Sequence, residues 1–141
     1  MAASQDDQEY EIERFMRHRV NRRKKTVEIL VKWTGSAYPT WEPEALLQET
    51  AGRTLYRYWD KLGGRGVATH LRDYHVFKIL ARVWKKGAWH YNCQWVGYSD
   101  LKADTSLETE RKVRRIARNV LAEFEAIHGA PNRRNTPAAD L

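Results

Sequence analysis

The sequence holds one cysteine, Cys93, in 141 residues. That excludes a disulfide framework and any zinc site built from several cysteines of this chain. Long apolar runs are missing too, and none approaches the roughly 18 residues that a membrane span needs. The opening MAASQDDQEYE is acidic and polar, unlike a signal peptide. A soluble intracellular protein is the expectation. The five histidines, His18, His70, His75, His90 and His128, have no metal-ligand spacing. No Ser, Cys or Lys stands in a nucleophile motif. Gly63-Gly64-Arg65-Gly66 is glycine-rich, but no strand precedes it and no Lys-Ser/Thr follows, so it reads as a linker rather than a phosphate cradle. No enzyme, cofactor or metal is expected, and the sequence gives no oligomeric state.

Aromatic residues, by contrast, are plentiful: six Trp, seven Tyr and three Phe in a chain that is 42% hydrophobic. Such a chain folds. Charge is uneven. Residues 1–63 hold 11 Lys+Arg against 10 Asp+Glu, a net of +1, and residues 64–141 hold 14 against 8, a net of +6. The basic second half invites DNA, RNA or another polyanion, or else serves solubility as a solvated surface.

Val27, Ile29, Val31 and Trp33 alternate with Thr26, Glu28, Leu30 and Lys32, the period of a half-buried strand over 26–33. A preceding strand is expected from about Tyr10 to His18, a charged hairpin loop at 21–25, and a short strand near Tyr38–Trp41. The loop, NRRKK, reads as a solvated turn or as an import or phosphate-binding patch. Leu55, Tyr58, Trp59 and Leu62 predict a helix over about 50–62, stopped by Gly63-Gly64.

The pattern then repeats. Asp73-Tyr74-His75-Val76-Phe77 echoes Glu9-Tyr10-Glu11-Ile12-Glu13, and Trp95-Val96-Gly97-Tyr98 echoes Trp33-Thr34-Gly35-Ser36. Tyr10 to Trp33 is 23 residues and Tyr74 to Trp95 is 21, so the second hairpin loop is two residues shorter. This is an internal duplication with a period near 62. Val113, Ile116, Val120, Leu121, Phe124 and Ile127 predict a final helix with one apolar stripe, ended by Gly129 and Pro131. The expected division is a flexible tail at 1–8, a first module at 9–62, a linker at 63–72, a second module at 73–129 and a disordered tail at 130–141.

VKWTG followed by TWEP, after an upstream Glu-Tyr-Glu-Ile-Glu, resembles the chromodomain family, as found in heterochromatin proteins and in retroelement integrase tails. The resemblance covers about 110 of the 141 residues and weakens in the second copy, where Thr105-Ser106-Leu107-Glu108 stands in place of TWEP and lacks its aromatic. Trp84 and Trp89 are candidates to replace that packing. The resemblance implies an α+β fold: two modules, each a three-stranded antiparallel sheet, a small open barrel, with a C-terminal helix.

It also implies a partner, a histone tail carrying methylated lysine, histone H3 above all, held in a cage of three aromatic rings in the nucleus. The cage positions fall on Tyr74, Trp95 and Tyr98 in the second copy. In the first they fall on Tyr10, Trp33 and Ser36, with Tyr38 as a substitute for the missing third ring. Glu9, Asp73, Asp100 and Asp104 are candidates to attract the basic tail, against a reading as plain surface charge. Arg111, Lys112, Arg114, Arg115 and Arg118 crowd the start of the last helix and are candidate nucleic-acid contacts. The alternative function is a nucleic-acid or protein-docking module that has lost peptide reading, including a chromatin-targeting tail of a retroelement.

Overall fold

The computed structural model describes residues 11–131; Glu9 and Tyr10 lie outside them. The chain divides into two compact units, the first ending at Asp73 and the second beginning at Tyr74. The architecture is α+β, with two three-stranded antiparallel sheets and helices.

In the first unit β1 (Ile12–Asn21), β2 (Thr26–Trp33) and β3 (Thr40–Pro43) form a sheet in that order. Val27, Ile29 and Val31 face the core, at most 3% exposed, as their alternation demands. Two register shifts in β1, between Ile12 and Arg14 and between Phe15 and Arg17, each insert one residue. Helix α1 (Glu44–Lys61) starts six residues earlier than its apolar stripe suggested. Pro43 presets its entry with φ −62°, and Glu44 places an acid in the first turn, where the helix dipole favours it. Leu47, Leu55 and Trp59 close the core.

The stretch expected as a linker is instead structured. It carries helix α2 (Arg65–Thr69), and Leu71 joins the first unit's core. Arg65 is 4% exposed and grips Glu44, 1% exposed, with two hydrogen bonds of 2.8 Å. Trp59 donates its indole N–H to the same carboxylate at 2.9 Å.

The second unit repeats this plan. β4 (Val76–Lys85), β5 (Ala88–Trp95) and β6 (Ser106–Thr109) form the sheet, and α3 (Glu110–Ile116) and α4 (Arg118–His128) follow. β4 carries two register shifts at the matching places, between Val76 and Lys78 and between Ile79 and Ala81. The β4–β5 turn is Lys86-Gly87, both at positive φ (52° and 76°), the geometry of a tight two-residue hairpin. The first hairpin uses four residues, 22–25, so the loop is shorter by the two residues read from the spacing.

Both units share one helix irregularity. Ala51 interrupts α1 at φ −144°, ψ 45°, and Ala117 separates α3 from α4 at φ −144°, ψ 46°. The break changes the phase of the last apolar stripe. Val113, Leu121 and Phe124 are buried, but Ile116 is 41% exposed and Ile127 78%, against the expectation that both turn inward. Cys93 is fully buried, and desolvation, with Glu108 nearby, pushes its thiol up to about 12. It is an inert core residue.

The register corrects one alignment. β6 sets Ser106, Leu107, Glu108 and Thr109 opposite β5 as β3 sets Thr40, Trp41, Glu42 and Pro43 opposite β2. The counterpart of TWEP is therefore Ser106–Thr109, one residue later than read. Trp41, opposite Leu30, lies on the sheet face away from Val27, Ile29 and Val31. Arg17 and Arg19 stack over its ring at 5.4 and 4.2 Å on the outer face. In the second sheet Ala81, Val83 and Leu107 take these three places, so loss of the aromatic comes with loss of the arginines that cover it. Trp84 and Trp89 sit opposite each other across the β4–β5 hairpin, edge to face at 5.0 Å.

Candidate functional site

Trp95 ends β5 on the core-facing side, and Gly97, at φ 89°, turns the chain back so that the Tyr98 N–H bonds the Trp95 carbonyl at 3.0 Å. Tyr74 enters just before β4, and the Val96 N–H to His75 carbonyl bond of 2.9 Å ties the two segments together. Three rings meet here. Tyr74 lies 6.3 Å from Trp95 at 62° and 5.7 Å from Tyr98 at 88°. They border an open cavity of about 400 Å³, with Asp104 and Glu108 on its wall. Tyr74 remains 45% exposed.

A relay fixes the indole. Trp95 donates its N–H to Ser106 Oγ at 2.9 Å, and Ser106 donates to Glu108 Oε2 at 2.6 Å. Glu108 also pairs with Lys112 at 2.7 Å. Burial pulls the Glu108 carboxyl upward, but the hydrogen bonds from Lys112 and Ser106 outweigh it and hold the group below its ordinary value. A carboxyl depressed by folding stabilises the native state above its unfolded pKa, about 4.3. That contribution is lost as pH falls through the lower folded value. As pH falls below about 5, wild type should therefore lose stability more steeply than Glu108→Gln, in urea titrations followed by tryptophan fluorescence. Parallel pH profiles would show that Glu108 is not coupled to folding.

The first unit contains the same relay with different letters. Trp33 donates to Thr40 Oγ1 at 2.7 Å, and Thr40 donates to Glu42 Oε2 at 2.7 Å. Its third position differs. Ser36 N–H bonds the Trp33 carbonyl at 3.1 Å, the place Tyr98 occupies in the second unit, and brings no ring. Tyr38 is 80% exposed and makes no ring contact with Trp33 among the described residues.

The other expected residues fall as follows. Asp104 accepts a short hydrogen bond from Ser99 and borders the cavity, while Asp100 is exposed. Asp73 is exposed and pairs with Lys25 at 2.6 Å, and that bond and attraction lower its carboxyl. In the last-helix cluster Lys112 is taken by Glu108, and Arg114 by Glu110 at 2.8 Å and Glu125 at 3.8 Å. Arg111, Arg115 and Arg118 are exposed without an ion pair to a described residue. Sequence reasoning missed Ser106, Glu108 and their counterparts Thr40 and Glu42. The alternation of a short strand followed by an acidic helix start was the available signal.

Residues 10–61 match the family model of the Chromo (CHRromatin Organisation MOdifier) domain. The match falls within the first unit. Chromodomains are chromatin-associated reader modules, which bind rather than catalyse. No curated protein matches the chain. Among the described residues no group of three or more His, Cys, Asp or Glu could hold a metal ion. No helix there is long and apolar enough to cross a membrane.

Proposed function

We propose that the chain is a nuclear chromatin reader with two chromodomain-like modules, and that the second holds a methylated lysine of a histone H3 tail. The observation behind this is the meeting of Tyr74, Trp95 and Tyr98 around one open cavity. A trimethylammonium group is a cation without an N–H, so a carboxylate alone gains little from it. Ring faces offer a negative quadrupole and apolar contact together, about 0.5–1 kcal/mol when exposed and about 2 kcal/mol or more when desolvated. Asp104 on the wall adds a field that suits a basic tail, while Lys112, which borders the same cavity, offsets Glu108. The tail's backbone joins the sheet edge as an added strand.

The matching bulges, tryptophan relay and helix break support the reading of the second unit as a divergent copy of the first. Its module covers about 73–129. The first module keeps Trp33 on its relay but offers Ser36 where a ring is needed, and we assign it the weaker site. A second reading, nucleic acid docked on the last helix, keeps Arg111, Arg115 and Arg118 but loses Lys112 and Arg114 to local carboxylates.

The test is a panel of histone H3 peptides, unmodified and mono-, di- and trimethylated at each tail lysine, titrated against the whole chain. Preference for a trimethylated peptide, removed by Tyr98→Ala and retained in Ser36→Ala, is expected. Equal binding across methylation states would reject the reading.

A further inference from the structure

Residues 14–25 hold seven Lys and Arg and no acid. The near-neutral total of the first 63 residues hides this concentration. β1 then aims part of it one way. Arg14 lies opposite Lys32, Arg17 opposite Leu30 and Arg19 opposite Glu28. These are alternate residues of β2, on the sheet face away from Val27, Ile29 and Val31. The register shifts in β1 keep three arginines of uneven spacing on that one outer face.

Trp41 lies under Arg17 and Arg19 and holds both guanidinium groups in place. Little neutralises the row. Glu28 takes Arg19 at 2.8 Å, and Glu13 reaches Lys32 at 3.5 Å. Arg14 and Arg17 make no ion pair with a described residue. At the hairpin end Arg19, Arg22 and Lys24 border an open cavity of about 700 Å³. The fold does not require this charge: Lys78, Ala81 and Val83 occupy the places of Arg14, Arg17 and Arg19 in the second sheet.

We propose that this outer face of the first unit binds the phosphate backbone of duplex DNA. A strand of ten residues spans about 33 Å at about 3.3 Å per residue. Duplex DNA carries about one negative charge per 1.7 Å of axis, so several phosphates lie within reach. A single-strand site needs free aromatic faces on which bases stack, and Arg19 already covers Trp41. The surface lies on the opposite side of the sheet from the core-facing Trp33, and the proposal stands whether or not the chain reads methyl-lysine.

The test uses the full chain and a fluorescent 20-base-pair duplex, with anisotropy titrations from 50 to 200 mM salt. Each phosphate contact contributes about −0.9 to the slope of log affinity against log salt. Arg14→Gln/Arg17→Gln/Arg19→Gln should flatten the slope by about 2–3 while the circular dichroism spectrum stays that of wild type. Arg115→Gln/Arg118→Gln should leave the slope unchanged. The proposal is overturned if wild type shows no duplex binding at 50 mM salt, or if the helix pair flattens the slope and the strand triple does not. Polyglutamate of matched charge displacing the duplex with equal potency would also overturn it, and would point to an acidic protein partner.

Discussion

Glu44→Ala should destabilise the first unit by about 3–5 kcal/mol, the largest effect we expect of any single change outside the hydrophobic core. The Glu44 carboxylate holds Arg65 through two 2.8 Å bonds and the Trp59 indole through one of 2.9 Å, with all three side chains buried. Removing the acid leaves a guanidinium without its counter-charge in a place that water does not reach. The helix that carries Arg65 then has no reason to stay, and Leu71 loses its seat in the core. Glu110 is the matching first helical residue in the second unit, but its partner is the exposed Arg114 one turn away. Glu110→Ala should cost only about 0.3–0.5 kcal/mol. Urea denaturation of the two variants checks the contrast. Similar losses for both would show that burial is not what makes the Glu44 pair matter. Glu44→Leu/Arg65→Met should recover much of the loss, since an apolar pair of similar volume leaves no orphan charge.

Trp95→Ala should weaken binding of a trimethyl-lysine peptide about five- to thirtyfold, the equivalent of about 1–2 kcal/mol. The indole contributes one wall of the cavity, and its N–H is pinned through Ser106 to Glu108. A ring held by such a chain loses little freedom when a ligand arrives, so affinity depends on the wall being in place beforehand. Ser106→Ala tests that second part. It keeps the ring and removes the pin, and binding should fall by a smaller factor than in Trp95→Ala. An unchanged affinity in Trp95→Ala would mean that the cavity is not where the methylammonium goes.

The sheets and the ring cluster were legible because their signals are local. Period-two alternation marked β2 over its observed span, 26–33, and Tyr74, Trp95 and Tyr98 stand at the positions that the chromodomain resemblance implied. What escaped was set by partners far along the chain. Glu44 and Arg65 are 21 residues apart, and each alone reads as surface charge. Gly63-Gly64 reads as a stop and a linker because nothing nearby shows that Arg65 has a buried acceptor. The breaks at Ala51 and Ala117 change the phase of their stripes, so Ile116 and Ile127 were placed on a face they do not share. The outer row of arginines was hidden differently. Its cations lie close together in sequence, but only the bulges in β1 decide which of them point the same way.

Whether the second unit cages the methylammonium is read from intermolecular NOE spectroscopy of the complex with a trimethyl-lysine histone H3 peptide. Contacts from the N-methyl protons to ring protons of Tyr74, Trp95 and Tyr98 in one bound form are expected. N-methyl contacts to Trp33 and Tyr38 instead, or a saturated complex whose methyl protons touch no ring, would contradict it.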